Sequence, residues 1–341
     1  MARLFYAFLW LSVIYVGIFI GHSSPGWFIK PQRSIDFFCW GDTLEAELLD
    51  EFEKTHGIKV RVHPFSSNEE MLVKLKAVNG KGYDLVCASD YAVRILKEEK
   101  LVTPLNYDLL PNAKAISPYL LNLDFDPKNE VSLPIEWEPY VFVTREPENL
   151  AIKDLFLNPK NKRIVMTSDP VEAIAYAAYS LYGKIETLNQ TSLLEVRNLL
   201  KKQKKSVEAY ADHRAKYLIE TNNCDLALIR ASFARLMQRD GTKIHYSLPT
   251  DWHFVNIENL AITENSTKKE DAHKLINFIL SYDCQKAHTE TVLAFSTRKD
   301  LRSNSSIEEE LLERNDPQFF RYLSKEEETR DLWVSLKTHM P

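Results

Sequence analysis

The sequence is poor in the residues that build the commonest short catalytic motifs. Among its 341 residues are only 9 glycines, 9 histidines and 4 cysteines. It contains no GxGxxG loop, no GxxxxGK phosphate loop, no GxSxG elbow and no HExxH zinc motif. These absences disfavour nucleotide-dependent, serine-hydrolase and zinc-protease chemistry. They do not exclude a hydrolase that uses two carboxylates, because such enzymes carry no short signature.

A strongly basic surface is also lacking. The 43 lysine and arginine residues are outnumbered by 48 aspartate and glutamate residues, which gives a formal net charge of -5. One short basic run at 201–205 is typical of a solvated helix end. Because binding to phosphate groups needs clustered basic side chains, nucleic acid is not an expected partner.

The remaining composition is that of a folded chain. Hydrophobic residues make up 45% of the sequence and aromatic residues 11%. This apolar content is enough to offset the loss of chain entropy on folding. The length predicts about two domains.

The long apolar run lies at the amino terminus, between Leu4 and Ile20. One arginine precedes it and small residues follow, which is the layout of an export signal with cleavage after Ser23. At about 17 residues the run is also nearly long enough to span a bilayer. We therefore expect residues 1–23 to be a signal peptide or a membrane anchor, and the rest of the chain to be exported.

Four cysteines would then lie in an oxidising compartment, where disulfides can form. Cys39, Cys87, Cys224 and Cys284 are widely separated, and the first two lie in apolar, strand-like runs. Buried free thiols are the favoured interpretation, with disulfide pairing as the alternative.

Strand-like and helix-like segments alternate from residue 34 onward. The pattern predicts strands at 35–40, 58–62, 83–88, 163–166, 225–229 and 259–262, and helices at 44–56, 68–78, 170–182, 193–204 and 269–280, with a charged helical tail after 302. This order indicates an α/β fold of two lobes, each a mainly parallel sheet with helices on both faces. In such sheets ligands bind beyond the carboxyl ends of the strands.

Acidic and aromatic residues occupy those strand ends. They are Trp40 and Asp42 after the first strand, Ser89 and Tyr91 after the third, Asp169 and Glu172 after the strand at 163–166, and Glu258 before the strand at 259–262. If the two lobes face each other, these side chains line one gap and form a site for a cation.

Helix capping explains some of the same acidic residues. Asp42 with Glu45, and Asp169 with Glu172, both match an aspartate cap followed by a glutamate three residues later. Local pattern alone therefore leaves capping and ligand binding both open.

Ordered matches between about 35 and 300 carry a family resemblance. They are the Trp-x-acidic turn at 40–42, FEKTHGIKV at 52–60, SNE at 67–69, YDLV at 83–86, FDP at 125–127, LP at 133–134, TSDPVE at 167–172, LAI at 260–262 and KLINF at 274–278. Together these segments resemble the spermidine/putrescine-binding periplasmic proteins of bacterial polyamine ABC transporters.

The resemblance implies a two-lobed periplasmic-binding-protein fold with a hinge of crossing strands. The implied first lobe is 34–137 plus 259–302, and the second is 138–258 plus 303–341. It further implies a monomeric, non-enzymatic periplasmic protein without cofactor or metal. Such a protein captures spermidine or putrescine and presents it to an inner-membrane permease and ATPase.

The resemblance also implies roles for individual side chains. Asp42, Asp169, Glu172 and Glu258 stand where the family pairs carboxylates with ligand ammonium groups. Trp40, Tyr91 and Phe295 match positions whose rings line the methylene chain. Ser89 and Arg230 complete the expected set of ligand-binding residues.

Two positions depart from the family pattern. Arg230 and Asn256 stand where relatives commonly have tryptophan, and a guanidinium in the cleft repels an ammonium unless it turns outward or pairs with an acid. Gly41 and Thr43 also replace the hydroxyl and ring found beside the acidic residue in many relatives. The transport role is unaffected, but another small cationic or amino-containing solute is an alternative ligand.

Two further functions stay open at this point. One is an exported hydrolase that uses Asp169 with Glu172 or Asp42 as its acid and base. The other is a ferric-ion-binding protein, which needs adjacent tyrosines as ligands. Tyr210 and Tyr217 are not adjacent, so this function is disfavoured.

Overall fold

A computed structural model describes residues 6, 8–16, 32–41, 43–158, 160–302, 305–314 and 316–338. Residues 8–16 are helical and exposed. The expected signal or anchor at 1–23 otherwise lies outside the described residues. Within the described part of the chain, no helix combines the length and the apolar character needed to cross a membrane.

The described residues form eleven strands. They are β1 (Arg33–Trp40), β2 (Ile58–Phe65), β3 (Leu85–Ser89), β4 (Ser132–Thr144), β5 (Ile164–Met166), β6 (Val207–Tyr210), β7 (Leu226–Arg230), β8 (His245–Ser247), β9 (His253–Ile262), β10 (Phe295–Ser296) and β11 (Pro317–Phe319). Eight of them follow one path in the order β2-β1-β3-β9-β4-β7-β5-β6. Strands β8 and β10 pair with β4, and β11 pairs with β9.

Twelve helices accompany the strands in the range 46–338 of the described chain. They are α1 (Ala46–His56), α2 (Asn68–Val78), α3 (Asp90–Glu98), α4 (Asp154–Leu157), α5 (Pro170–Tyr182), α6 (Gln190–Gln203), α7 (His213–Glu220), α8 (Ala231–Arg239), α9 (Lys269–Ile279), α10 (Tyr282–Val292), α11 (Ser306–Arg314) and α12 (Glu326–Thr338). Short 3₁₀ helices lie at Tyr107–Leu109, Pro111–Ala115, Pro118–Leu120 and Lys204–Ser206.

Two parallel halves make up the sheet. In one half β1 pairs in parallel with β2 and β3, and in the other β5 pairs in parallel with β6 and β7. Consecutive β1 residues Phe37 and Phe38 point to opposite faces and are both almost completely buried, so helices cover the sheet on both sides. The predicted two-lobed α/β fold is confirmed.

Two long antiparallel strands join these halves. Residues 132–139 of β4 pair with β9, whereas residues 140–144 pair with β7. Strand β9 also pairs with β3 through residues 258–262. Because β9 joins the first half through β3 and β4 joins the second through β7, the β4–β9 pair links the two lobes.

Local signals predict several helices accurately. The helices expected at 68–78 and 170–182 occur with those ends. Helix α1 ends at Gly57, whose φ of 66° is a left-handed conformation that glycine adopts without strain. The tail after 302 is helical as expected, but strand β11 interrupts it. All four cysteines are buried and free, which confirms the favoured interpretation.

The carboxyl-terminal segment contacts both parts of the molecule. Arg321 pairs with Asp124 at 2.8 Å, and Glu326 pairs with Lys76 at 3.1 Å. Farther along, Lys204 on the second half donates a hydrogen bond to the carbonyl oxygen of Leu336 at 2.6 Å. The segment therefore bridges the halves on the outside of the protein.

A buried histidine joins three elements of the first half. His288 on α10 lies with Nδ1 3.1 Å from Glu45 and Nε2 3.0 Å from Glu136. Burial alone would lower the pKa of His288, but its hydrogen bonds to Glu136 and Glu45 and their charges outweigh that effect and raise the pKa to about 10. The imidazolium form is therefore the one that the fold stabilises.

We expect His288→Gln to destabilise the protein in a pH-dependent way. Because the pKa of His288 is raised from 6.5 to about 10, its contribution is fully present below pH 6.5 and is lost as pH rises toward 10. Urea unfolding of wild type and variant at several pH values measures this difference. The exposed His245 supplies a matched control in His245→Gln. A difference in free energy of unfolding that is constant with pH contradicts the assignment.

Candidate ligand-binding site

The carboxyl ends of four parallel strands meet at the junction of the two halves. Trp40 ends β1, Ser89 ends β3, Asp169 follows β5 and Arg230 ends β7. Hydrogen bonds cross this junction, since the Tyr91 hydroxyl donates to Asp169 Oδ2 at 2.7 Å. The structure thus brings residues that are distant in sequence into one cleft, as expected for this topology.

The smaller of two cavities at the junction has a volume of about 60 Å³. Its walls combine acids, hydroxyls and rings, and include Trp40, Asn68, Tyr140, Thr167, Ser168, Asp169, Glu172, Asp212, Arg230 and Phe233. We call this the acidic cavity, because three carboxylates line it.

Asp169 has two structural roles in the acidic cavity. Its Oδ1 caps helix α5 by accepting from the backbone N–H groups of Val171 and Glu172, at 2.8 and 3.1 Å. Pro170 occupies the first helical position, where it costs no backbone hydrogen bond. The capping interpretation is therefore confirmed for Asp169, whereas the N-cap residue of α1 is Glu45 and not the predicted Asp42. The other carboxylate oxygen of Asp169 faces Tyr91 in the cleft.

Glu172 and Asp212 share one hydroxyl group. Thr167 Oγ1 lies 2.7 Å from Glu172 Oε2 and 3.0 Å from Asp212 Oδ1. One hydroxyl proton serves only one acceptor at a time. The second contact is therefore a hydrogen bond only when a carboxyl group keeps its own proton. Tyr140 donates to the other oxygen of Glu172, and Ser168 donates to Asp212 through both its backbone N–H and its hydroxyl.

Burial and mutual repulsion raise the pKa values of Asp169 and Glu172 and so favour their protonated forms. Burial, then the charge of Glu69, raises the pKa of Asp169 to about 7. Burial, then the charge of Asp169, raises the pKa of Glu172 well above its ordinary range. In the described structure neither they nor Asp212 has a lysine, arginine or histidine partner at ion-pair distance. A bound cation would relieve the repulsion that their ionised forms create.

The larger cavity has a volume of about 170 Å³ and shares Trp40, Arg230 and Phe233 with the acidic cavity. Its own acids are Glu136, Glu138 and Glu258. We call it the paired cavity, because the next contacts show that two of these acids have cationic partners within the chain.

Glu258 is enclosed by donors. Its Oε1 accepts from Ser89, Asn256 and Arg230, at 3.1, 2.9 and 3.2 Å. Its Oε2 accepts from the Trp40 indole N–H at 3.0 Å, and the Cys87 thiol lies 3.9 Å away. Glu258 is only 1% exposed. A carboxylate has about four acceptor positions, so the chain itself uses those of Glu258.

The other two acids of the paired cavity also have internal partners. Glu136 pairs with His288, as described above. Glu138 accepts from the backbone N–H of Ser232 at 2.7 Å. Burial, then the charge of Glu136, raises the pKa of Glu138 to about 7, while the charge of Arg230 acts in the opposite direction.

The structure does not bring every predicted residue to the cleft. Phe295 is fully buried, with its ring 5.2 Å from that of Trp137 and under the Arg235 guanidinium, and it lines neither cavity. Asp42 lies outside the described residues. Tyr210 packs against Trp333 and Tyr217 is 65% exposed, so the described structure places neither tyrosine in these cavities.

Several residues of the site were not predicted from the sequence. Glu136, Glu138 and Tyr140 alternate along β4 and therefore share one face of the strand, a period-two signal that the sequence contains. Asn68 lay within a segment that carried the resemblance, but it was not assigned a role. It is 3% exposed and lines the acidic cavity, and its Oδ1 has no hydrogen-bond partner in the described structure.

We expect the Arg230–Glu258 pair to be strongly coupled. Arg230→Gln or Glu258→Gln leaves a buried charge without its partner, which costs about 3–5 kcal/mol of unfolding free energy, and the double variant should cost less than the sum. Urea unfolding of the four proteins measures the coupling. The more exposed Arg163–Asp225 pair, at 40% and 36% side-chain exposure, is the control, and Arg163→Gln should cost about 1 kcal/mol or less. Additive effects at Arg230 and Glu258 would contradict the pairing.

Comparison with known proteins agrees with this geometry. The chain matches the family described as bacterial extracellular solute-binding protein over residues 47–313. It is 30% identical over 267 residues to the spermidine/putrescine-binding periplasmic protein of Escherichia coli K12, covering 76% of each chain. It is 29% identical over 283 residues to the protein of the same name from Salmonella typhimurium, covering 81% of this chain and 79% of that one.

A solved structure gives a similar result. A Listeria monocytogenes protein described as a spermidine/putrescine ABC transporter superposes with a TM-score of 0.81 at 25% identity, covering 90% of this chain and 100% of that one. The family match spans more than half of the chain, and the hydrolase alternative is therefore excluded. The chain belongs to the bacterial extracellular solute-binding protein family and is a solute-binding protein, not an enzyme.

Proposed function

We propose that the protein is the solute-binding component of a polyamine ABC importer and binds spermidine or putrescine in the cleft between its two lobes. The observation that carries this proposal is the acidic cavity. Asp169, Glu172 and Asp212 converge there without a cationic partner among the described residues, beside the rings of Trp40 and Tyr140.

The chemistry of a polyamine fits such a cavity. A polyamine is a chain of methylene groups that separate ammonium groups, so it needs carboxylates for the charges and apolar walls between them. Aromatic faces cover methylenes and also attract nearby cations, by about 0.5–2 kcal/mol each. An ion pair at about 4 Å has a gross attraction of about 4 kcal/mol at an effective dielectric constant near 20, before desolvation is subtracted.

The relatives support the same ligand class. The Escherichia coli and Salmonella proteins are named for spermidine and putrescine, and the Listeria protein is described by the same ligands. Ligand contacts with both lobes would favour the closed arrangement over an open one.

The predicted site residues divide into three groups under this proposal. Asp169 and Glu172 bind ammonium groups directly, together with the newly found Asp212. Trp40 borders the ligand, whereas Tyr91 lines neither cavity and orients Asp169 through its hydrogen bond. Ser89 and Arg230 donate hydrogen bonds to Glu258, so these three residues act as one connected group. Direct roles of Asp42 and Phe295 in ligand binding stay predictions from the sequence.

The lobe boundaries are also proposed. We assign 34–137 plus 259–302 to the first lobe and 138–258 plus 303–341 to the second. The change of partner along β4 after residue 139, and the contact of α12 with Lys204, support this division.

The importer role implies partners and a location. We propose that the protein acts as a monomer in the periplasm, exported by the segment at 1–23 whether or not that segment remains as an anchor. It would deliver its ligand to an inner-membrane permease and ATPase, with no nucleic acid partner. The periplasmic relatives support this location.

Titration calorimetry with putrescine, spermidine and cadaverine tests the proposal. We expect binding of at least one of them, and a loss of affinity of about tenfold or more in Asp169→Asn, because one charged contact is removed. Asparagine also caps helices, so the fold of this variant should be retained. The exposed helical residue Asp50 provides the control Asp50→Asn, which should bind like wild type.

Two outcomes would count against the proposal. No heat and no change in melting temperature with any of the three amines at millimolar concentration would reject it. Unchanged affinity in Asp169→Asn would show that the carboxylates are wrongly assigned. If the protein binds none of the three polyamines but binds another small amino-containing solute, the alternative ligand class is supported.

Affinity should also depend on pH. Because the pKa of Asp169 is raised to about 7, that carboxyl must lose its proton to pair with an ammonium group. We therefore expect affinity to rise by about tenfold or more between pH 5.5 and 8, where amines like that of lysine stay protonated. Calorimetry in buffers of different ionisation enthalpy should detect proton release near pH 7. An affinity that is flat over this range would contradict the assignment.

A further inference from the structure

Arg230 stands on the boundary between the two cavities. It ends strand β7, lines both cavities and has a side chain that is only 19% exposed. Its guanidinium contacts Glu258 at 3.2 Å. A positive charge that belongs to the chain itself therefore lies in the wall that the acidic cavity and the paired cavity share.

The carboxylate beyond this boundary has no acceptor position left for a ligand. Glu258 accepts hydrogen bonds from four residues, three of them on other strands, and also contacts the thiol of Cys87. Glu136 is held by His288, which also pairs with Glu45. Glu138 accepts a hydrogen bond from the backbone N–H of Ser232, and the positive charge of Arg230 acts to lower its pKa. An ammonium group in the paired cavity would therefore share that cavity with the guanidinium of Arg230.

The acidic cavity has the opposite character. Its three carboxylates pair with hydroxyl and backbone donors but with no basic side chain of the described residues. It also holds the buried Asn68, whose Oδ1 has no hydrogen-bond partner and is an acceptor for an N–H group. Among the described residues, three acids without a basic partner at ion-pair distance therefore line the acidic cavity, whereas the paired cavity has one, Glu138, which Arg230 and Glu258 accompany.

We infer that Arg230 is a built-in cation that determines specificity by occupying the place of a ligand ammonium group at Glu258. This inference rests on the proposed polyamine function. The ligand's charges are then confined to the acidic cavity, and a third ammonium group is repelled at Arg230. The site selects a diamine of the putrescine type over the triamine spermidine.

Calorimetry with putrescine and spermidine on wild type and Arg230→Gln tests the inference. We expect wild type to bind putrescine more tightly, by about tenfold or more. Arg230→Gln frees Glu258 for an ammonium group and should shift the ratio of affinities toward spermidine by about tenfold, the size expected for one charged contact. Arg230→Lys keeps the charge and should keep the preference for putrescine. Arg163→Gln, at a paired arginine remote from both cavities, should leave the ratio unchanged.

A second variant keeps the test valid if Arg230→Gln is too unstable to study. Arg230→Gln combined with Glu258→Gln removes both charges, so no buried charge is left unpaired. It lifts the repulsion without offering a carboxylate, and we expect the ratio to shift toward spermidine by less than in Arg230→Gln. Melting temperatures of all variants establish that they are folded.

Failure of this inference can be told apart from failure of the proposed function. Wild type that binds neither amine rejects both. Wild type that binds spermidine more tightly than putrescine overturns the role of Arg230 and leaves polyamine binding intact. The same holds if both amines bind and the ratio is unchanged in each folded Arg230 variant without a charge at that position.

Discussion

The antiparallel pairing of β4 with β9 is the constraint on which the site depends. Strand β9 is attached to the first half of the sheet and β4 to the second, and both carry polar groups into the junction between the halves. Glu136, Glu138 and Tyr140 come from β4, and Asn256 and Glu258 come from β9. Since all five are fixed by strand register rather than by loops, the floor of the cleft is set by the same backbone hydrogen bonds that join the lobes.

The charges around the cleft are distributed unequally. The acids nearest the crossing strands are neutralised by the chain, through Arg230 at Glu258 and His288 at Glu136. The acids carried by the second half, with Asp169 at the start of α5, are not neutralised within the described chain. Under the proposed function, the acids with a basic neighbour stabilise the protein, and the acids without one bind the ligand.

Sequence patterns predicted the parts of this fold that depend on local interactions. Helix α5 was located to the residue because Asp169, Pro170 and Glu172 form a complete starting signal. Strand β4 was missed, since Pro134 and Pro139 interrupt it and the pairing that accommodates them comes from residues more than a hundred positions away.

The site was predicted less completely than the fold, for a related reason. The acids at strand ends were identified because a parallel α/β topology brings such ends together. The local sequence does not show which of these acids are already paired with donors or cations of the chain. The environment of Glu258 is formed by Trp40, Ser89, Asn256 and Arg230, and no single segment contains that set. The sequence allowed Arg230 either to turn outward or to pair with an acid, and in the structure it pairs with Glu258.

The bridge made by the carboxyl-terminal segment has a consequence for opening of the cleft. Separating the lobes as assigned would break the ion pairs of Arg321 with Asp124 and of Glu326 with Lys76. These pairs are solvent-exposed, so dissolved salt weakens them and each holds the lobes together only slightly. If the lobes separate along the proposed boundaries, a higher ionic strength would therefore make opening slightly easier, independently of the ligand.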